Sequence, residues 1–184
     1  MTNVLPILIR DGVPEDIPHC VGLNHTYETA RVWQVNLQAT PEQWQITLRE
    51  GRLPYPIQLE SPANDRRLRY TLLSDACFLV ATLTPEAPPV AYLALQPTIA
   101  QPTATIIDCA VDVAYRRQAV ATRLLQVAER WATRHSLEQL WAEAQPKNAP
   151  AIAFYQQAGY TFCGYHDTYF PNKEIALFFS KTLR

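Results

Sequence analysis

Glycine is scarce in this chain. The 184 residues include only 5 glycines but 15 prolines, whereas average proteins contain more glycine than proline. The two nearest glycines, Gly159 and Gly164, are five positions apart. The GxGxxG and P-loop motifs for phosphate binding need glycines at closer spacing, so the sequence excludes both motifs in intact form.

The four cysteines form no metal-binding or redox motif. They stand far apart, with no CxxC pair and no cysteine–histidine cluster at the spacing of a zinc site; they are Cys20, Cys77, Cys109 and Cys163. We therefore expect buried, reduced thiols in a cytoplasmic protein. Disulfides in a secreted domain are the alternative interpretation.

Long apolar runs and a strong charge of either sign are also absent. No run can span a bilayer, and residues 1–10 lack the basic start of a signal peptide. A net charge of −1 argues against a globally basic nucleic-acid binder. Hydrophobic residues make up 48% of the chain, enough for a core. We expect a single domain over residues 1–184, with no metal and no membrane or nucleic-acid partner.

Secondary-structure signals are weak in the first half. The sequence predicts a short strand at 4–10 and a helix at 14–23. Thr40-Pro41-Glu42-Gln43 has the pattern of a helix start, with threonine as N-cap and proline at the first helical position. Trp44 and Leu48 would then share one face of a helix that ends at Gly51.

A proline-rich segment separates this helix from the next. Residues 53–62 hold three prolines, so we expect an extended loop. Ser61-Pro62 is the expected start of a further helix that runs towards Leu72. This helix would carry a solvated face formed by Arg66, Arg67 and Arg69.

From Cys77 onwards the pattern of apolar residues is typical of strands. Apolar runs at 77–83 and 90–95 flank a turn and predict an antiparallel hairpin. A third strand follows at 103–111. Alternation places Ile107, Cys109 and Val111 on one of its faces and Ile106, Asp108 and Ala110 on the other.

The remaining elements alternate between helices and strands. The pattern predicts a helix at 119–134, a strand at 137–145, a helix capped by Asn148 and stopped at Gly159, and strands at 160–165 and 174–181. This order indicates a mixed α+β fold. Its central sheet would be mixed but mostly antiparallel, with about six or seven strands flanked by helices.

Residues 115–121, which read YRRQAVA, lie where a predicted strand ends and the clearest helix begins. Unpaired N–H groups and the positive end of the helix dipole favour an anion at such a place. Arg116 and Arg117 add positive charge. Taken alone, the pattern is also typical of a solvated basic turn before a helix.

The run from Asp108 to Leu183 resembles the acetyl-CoA-dependent N-acetyltransferases of the GNAT superfamily. The matching motifs are Ala110-Val111-Asp112, Arg116-Arg117-Gln118-Ala119-Val120-Ala121, Leu124-Leu125, Trp131-Ala132, Glu143-Ala144-Gln145, Asn148-Ala149-Pro150-Ala151, Phe154-Tyr155 and Gly159-Tyr160. The tail from Tyr169 through Glu174 to Phe179 is similar to the streptothricin-acetyltransferase-like branch. The first 75 residues match only loosely, in the order of their elements. The resemblance implies a GNAT-like fold with a splayed sheet.

One position departs from the family's pyrophosphate loop, which has the pattern R/Q-x-x-G-x-G/A. Ala119 stands in place of the first glycine. If Ala119 has helical backbone angles, its methyl group can point aside at little cost. If the position requires φ > 0, alanine is strained there by roughly 1 kcal/mol or more. The sequence leaves both alternatives open.

The resemblance implies a coenzyme site between the splayed strands and the following helix. The pantetheine arm would accept strand-like hydrogen bonds from the backbone at Val111 and Val113, and the pyrophosphate would rest on amides of residues 117–122. The residues assigned to coenzyme binding are Val111, Val113, Arg116, Arg117, Gln118, Ala119, Val120, Ala121, Thr122, Asn148 and Tyr155.

The implied chemistry is direct attack of an amine on a thioester. An alkylamine with a pKa of about 10.4 is cationic at pH 7, so its proton must be removed before attack. Glu143 and Asp108 are the two candidate proton acceptors. Tyr155 is the candidate acid, and a hydrogen bond from its hydroxyl to the leaving sulfur is the simplest role for it.

Two functional classes remain open at this point. The first is an enzyme, monomeric or homodimeric, that acetylates a primary amine of a small molecule or a peptide. The second is a coenzyme-binding or regulatory module that keeps the fold but has lost catalysis. Ala119 in the pyrophosphate loop motivates this second hypothesis.

Overall fold

A seven-stranded sheet forms the centre of the computed structural model, which describes residues 5–61, 64–74, 76–170 and 172–183. Val4 and Pro62, which belong to the predicted first strand and helix start, lie outside the described residues. In chain order the elements are β1 (Leu8–Asp11), α1 (Ile17–Val21), β2 (Thr26–Ala39), β3 (Trp44–Glu60), α2 (Asp65–Leu73), β4 (Cys77–Thr82), β5 (Ala91–Pro97), β6 (Thr103–Val111), α3 (Val120–Arg134), β7 (Gln139–Ala144), α4 (Ala149–Gln157), β8 (Thr161–His166) and β9 (Ala176–Thr182).

The strand order in the main sheet is β1-β4-β5-β6-β7-β9-β8. Only β6 and β7 pair in parallel, and every other neighbouring pair is antiparallel. The parallel pairing runs from Thr103 opposite Gln139 to Ile106 opposite Ala142, and beyond these residues the two strands separate. The predicted mixed, mostly antiparallel and splayed sheet is confirmed.

Helices cover both faces of the sheet. Leu124 of α3 packs on one face with Leu93 of β5. Ile17 of α1 and Leu68 of α2 pack on the other face with Tyr92. All five side chains are fully or almost fully buried, and burial of each leucine or isoleucine stabilises the fold by about 1.5–3 kcal/mol.

The helix predicted from Thr40 to Gly51 is wrong, because this segment forms the tip and part of the second strand of a β2–β3 hairpin. The Thr40 hydroxyl accepts a hydrogen bond from the Gln43 N–H at 3.0 Å. An N-cap makes the same bond, but here it closes a turn. Residues four apart share a face in a helix and in a strand alike, so the spacing of Trp44 and Leu48 fits both structures.

A wide bulge interrupts β3 where the sequence predicts an extended loop. Thr29 pairs with Ile57 and Arg31 with Arg52, so residues 53–56 stand opposite a single residue of β2. The bulge contains two prolines, which lose no ladder hydrogen bond there. Residues 57–60 then pair with 26–29, which corrects the prediction of a loop over this part.

The hairpin has one apolar face along its length. The inner part of this face, formed by Trp33, Val35 and Leu48, packs against the main core. The outer part, including Leu37 and Trp44, is exposed to solvent. The hairpin is therefore anchored by its inner half only.

Because of a bulge in β6, some of its side chains lie on the opposite face from the one that the sequence predicts. Ile107 is an extra residue relative to β5. As a result Ile106 and Cys109 lie on the sheet face that α3 covers. Ile107 and Ala110 lie on the opposite face, which α1 and α2 cover. The predicted sides of Ile106 and Ile107 are thus wrong. Bulges are common beside functional sites because they re-aim side chains, and this one precedes Asp108.

Asparagines cap two of the helices. The Asn64 side chain accepts from the Arg67 N–H at 3.1 Å and begins α2, so Asn64 takes the role that the sequence assigned to Ser61. The Asn148 side chain accepts from the Ala151 N–H at 3.2 Å and begins α4, as predicted.

The four cysteines are free thiols. Cys20 and Cys77 are buried as predicted, whereas Cys163 is exposed, which corrects the prediction for that residue. Among the described residues, no three histidine, cysteine or carboxylate side chains are grouped to hold a metal ion. No helix in the described ranges has the length and apolarity to cross a membrane.

Gly12 lies against a buried aromatic ring, and its replacement by alanine is expected to destabilise the fold. A Cβ on Gly12 would lie 2.3 Å from Cδ1 of Phe78. The ring would have to move within a packed core, so Gly12→Ala should lower the free energy of unfolding by about 1–3 kcal/mol. Gly164→Ala is the matched control, since its Cβ would have no neighbour within 4 Å. Urea unfolding measures both, and equal values would contradict the expectation.

Candidate active site

A cleft of about 640 Å³ opens where β6 and β7 separate. Four of the predicted site residues line it: Asp108 of β6, Glu143 of β7, Asn148 at the start of α4 and Tyr155 within α4. The predicted loop residues 116–122 do not line this cleft and lie at the start of α3. The structure thus brings the proposed chemical groups together and places the loop apart from them.

Both oxygens of the Glu143 carboxylate are occupied. Nη2 of Arg67 donates to Oε1 at 2.6 Å, and the hydroxyl of Tyr169 donates to Oε2 at 2.6 Å. The Glu143 side chain is only 4% exposed. Charge-assisted bonds of this length are strong, and they leave little room for Glu143 to accept a proton from another molecule.

Asp108 is the freer of the two carboxylates. The Tyr92 hydroxyl donates to its Oδ2 at 3.0 Å. Burial raises the pKa of Asp108 above its usual value, although the bond from Tyr92 and the charge of Arg67 act in the opposite direction. A raised pKa makes a carboxylate a stronger proton acceptor. Asp108 is therefore better suited than Glu143 to take a proton.

Tyr155 presents a neutral hydroxyl to the cleft. Its ring is buried, and burial raises the pKa of Tyr155 well above its ordinary value. Within the described residues the hydroxyl has no hydrogen-bond partner, so it is free to donate to a bound molecule. Cys109 also lines the cleft, and burial raises the pKa of its thiol to about 12. Cys109 is thus a protonated thiol near neutral pH and a poor nucleophile.

The start of α3 offers free backbone N–H groups. The first helical hydrogen bond runs from Arg123 N–H to the Ala119 carbonyl at 3.0 Å, and no side chain in the described part of the chain caps the helix. The N–H groups of residues 120–122 are therefore left without helical acceptors. Arg117 and Ala119 both have left-handed backbone angles, with φ of 62° and 60°. This geometry is suited to an anion.

The chain matches the model of one protein family over most of its length. Residues 42–160, more than half of the chain, match the model of the acetyltransferase (GNAT) family. The chain belongs to this family. No curated protein matches it significantly.

Solved GNAT structures share the fold of this chain. The nourseothricin acetyltransferase structure is 24% identical and superposes with a TM-score of 0.81, covering 97% of this chain and 99% of that one. A Bacillus anthracis str. Ames protein described as a streptothricin acetyltransferase, in complex with acetyl coenzyme A, is 17% identical with a TM-score of 0.74, covering 99% and 100%. The ribosomal-protein-S18-alanine N-acetyltransferase of Escherichia coli is 18% identical with a TM-score of 0.66, covering 96% and 94%. The GNAT assignment is confirmed by the family model, and the likeness to these three structures shows a shared fold.

Arg116 of this GNAT chain has a structural role, because its guanidinium binds backbone carbonyls of separate segments. Its Nε donates to the Val111 carbonyl at 2.8 Å, and its other nitrogens donate to the carbonyls of Asn24, at 2.6 Å, and Thr26. The guanidinium therefore joins the loop before α3 to the segment before the hairpin. The Asp112 N–H donates to the carbonyl of Val90, just before β5, at 2.9 Å. Because N–H groups alternate along a strand, the Val111 N–H points the other way, towards the side that β7 leaves open. The predicted coenzyme contacts of both residues stay predictions.

Sequence reasoning missed two partners of the carboxylates. Arg67 was assigned to a solvated helix face, which is wrong because its side chain is half-buried and paired with Glu143. Tyr92, the partner of Asp108, is a core residue of β5 with no polar neighbour in the sequence to indicate its role. Arg67 and Glu143 are 76 residues apart, so no local motif connects them.

Ala119 is, with Arg117, one of two positions at which the GNAT loop is strained. Its φ of 60° and ψ of 15° are left-handed, which settles the alternative that the sequence left open and costs alanine about 1 kcal/mol. We expect Ala119→Gly to raise the free energy of unfolding by up to about 1 kcal/mol. Ala121→Gly is the control of opposite sign, because Ala121 lies inside α3, where glycine costs about 0.5–1 kcal/mol. Urea titrations measure the free energy of unfolding of both variants. A decrease of equal size in the two variants would contradict the strain assigned to Ala119.

Proposed function

We propose that this chain is an acetyl-CoA-dependent N-acetyltransferase, with one domain over residues 1–184, that acetylates a primary amine of a small molecule or a peptide. The observation that carries the proposal is the cleft between β6 and β7, which combines a carboxylate of raised pKa with a neutral tyrosine hydroxyl. Membership of the GNAT family supports the same reaction.

The residues at the start of α3 fit the pyrophosphate of the coenzyme. The N–H groups of Val120, Ala121 and Thr122 lack helical acceptors, and the left-handed residues Arg117 and Ala119 precede them. The Val111 N–H would hold the pantetheine arm, and the Asn148 amide group would donate to it. When bound, acetyl-CoA supplies the acetyl group as a thioester.

Asp108 removes the proton that prevents the amine from attacking. A free amine lies about 4–5 kcal/mol above its cation at pH 7, and a buried carboxylate both attracts the cation and accepts its proton. The nitrogen then forms its bond to the acetyl carbonyl carbon, the bond from that carbon to sulfur breaks, and the second proton of the nitrogen passes to the departing sulfur to give the free thiol. Tyr155 donates a hydrogen bond to the departing sulfur. Because Cys109 stays protonated, the acetyl group passes directly to the amine.

Glu143 acts in this proposal as a positioning residue. It holds Arg67 of α2 and Tyr169 of the β8–β9 loop at 2.6 Å each. Both of these side chains line the cleft. Glu143 thereby fixes the shape of the acceptor side while Asp108 handles the proton.

Calorimetric titration with acetyl-CoA tests the coenzyme step, and release of free thiol across a panel of amines tests transfer. We expect saturable binding and thiol release that depends on the amine. Absence of binding at millimolar coenzyme would overturn the proposal.

The strained Ala119 favours one second candidate, a coenzyme-binding or regulatory module without catalysis. Tight coenzyme binding with no turnover of any amine would support that alternative. The four free thiols support a reducing compartment such as the cytoplasm, and either a monomer or a homodimer is compatible with the proposal.

A further inference from the structure

A second groove, of about 710 Å³, lies beside the cleft, between α2 and the adjoining strands β5 and β6. Three residues line both spaces: Asn64, Arg67 and Ile107. The groove therefore adjoins the cleft along these three residues. A molecule that reaches Asp108 from this side passes the groove on its way.

The wall of the groove presents apolar side chains to solvent. Tyr70 is 60% exposed and Leu73 is 88% exposed, and they stand three residues apart on α2. Ile107 contributes from β6. Exposed apolar side chains grouped around a concave surface favour binding of an apolar group.

The charges around the groove are mainly positive. Three arginines line it, Arg66, Arg67 and Arg69, and Asp65 is the one carboxylate that the described residues contribute to its lining. Nε of Arg69 donates to both oxygens of Asp65, at 2.7 and 2.8 Å, and Arg67 is paired with Glu143. Arg66 is therefore the groove arginine whose charge no described carboxylate balances. A second cation in the groove would be repelled, whereas an apolar or anionic group would not.

We propose that this groove binds the part of the acceptor that lies away from its reacting amine, and that the acceptor is a monoamine with an apolar body. The inference rests on the proposed function, because the amine must reach Asp108 in the cleft. The body then passes Arg67 and covers Tyr70, Leu73 and Ile107. The unbalanced charge of Arg66 selects against acceptors that carry a further positive charge in this body.

A series of n-alkylamines, each compared with the α,ω-diamine of the same length, tests the proposal. Dissociation constants are measured by calorimetry on the full chain loaded with coenzyme A, and KM and kcat by thiol release with acetyl-CoA. We expect the dissociation constant and KM to fall about two- to fourfold per added methylene while kcat changes little. The diamine should bind about tenfold more weakly than the matching monoamine.

Variants of the groove wall locate the effect. The double substitution Tyr70→Ala and Leu73→Ala should weaken n-hexylamine binding by about tenfold and leave ethylamine within about twofold. The matched control is Tyr55→Ala with Ile99→Ala. These two side chains are also exposed, and neither lines the cleft or the groove. The control should leave the affinities for both amines unchanged.

The outcomes separate this proposal from the proposed function. Affinity that is independent of chain length, a preference for diamines, or no amine binding at millimolar concentration would overturn the groove proposal. Turnover of short amines without a chain-length effect would leave the proposed function in place. Binding that strengthens with chain length but without acetyl transfer would support the groove and contradict the proposed function.

Discussion

Replacement of Asp108 by asparagine is expected to lower kcat/KM for amine acetylation by about 10²–10⁴-fold. Asparagine keeps the volume and can still accept the Tyr92 hydrogen bond, but it cannot take a proton. Thiol release under subsaturating amine measures the loss. Asp11→Asn, an exposed carboxylate at the end of β1, is the control and should leave the rate unchanged. A larger loss in Glu143→Gln than in Asp108→Asn would show that the proton acceptor was wrongly assigned.

The pH dependence of the rate gives a second readout of Asp108. In the unsubstituted chain kcat/KM should fall as the pH falls through the raised pKa of Asp108, because the protonated carboxyl cannot accept a proton. In the Asp108→Asn variant, kcat/KM should not show this fall at low pH, and its pH dependence should reflect only the titration of the amine.

The stability of the same variant should change in the opposite direction to its activity. The folded chain keeps the Asp108 proton to higher pH than the unfolded chain, because burial raises the pKa in the fold. The free energy of unfolding therefore falls as the pH rises from the ordinary aspartate range through the raised pKa. Asparagine removes this loss, so Asp108→Asn should be more stable than the parent at neutral pH in urea titrations.

Replacement of Tyr155 by phenylalanine has the second largest expected effect, a fall in kcat of about 10²–10³-fold. The buried ring is retained, and only the hydroxyl that faces the cleft is lost. KM for the amine should change little, because the hydrogen bond is needed at the departing sulfur. Steady-state kinetics of thiol release measure the two parameters separately.

Tyr160→Phe is the matched control for this prediction. Its ring centroid lies 5.7 Å from that of Tyr155, it is equally buried, and its hydroxyl faces Glu129 rather than the cleft. Activity close to that of the parent is expected. An acetyl thioester of a thiol with lower pKa should reduce the penalty of Tyr155→Phe, since its sulfur leaves with less help. An unchanged penalty would count against a role for Tyr155 at the sulfur.

The C-terminal half could be predicted because its signals are local. The strand, loop and helix around Ala119, and the cap and stop of α4, follow from residues that are adjacent in the sequence. The order of these motifs also identified the family. Whether Ala119 adopts a left-handed conformation depends on how the loop meets β6 and α3, and the sequence alone does not contain this information.

In the N-terminal half, the segment from Thr40 to Glu60 was mispredicted for physical reasons. The hydrogen bond from Gln43 to Thr40 serves a helix start and a hairpin turn equally well, so the local pattern could not distinguish them. Long-range pairing across the hairpin decided the outcome. The pairs Arg67–Glu143 and Tyr92–Asp108 likewise form only when the sheet assembles.

The bulge in β3 has a consequence for self-association. Among the described residues the hairpin pairs with no third strand, and two long strands with free edges are a template for aggregation. The prolines at 54 and 56 stand in the bulge and cannot donate to an added strand. The outer edge of β2 has a partner in the middle of the strand, where the Trp33 N–H donates to the Pro146 carbonyl at 2.9 Å. The two prolines thus oppose the pairing of a further strand, from another chain, with the exposed edge of the β2–β3 hairpin.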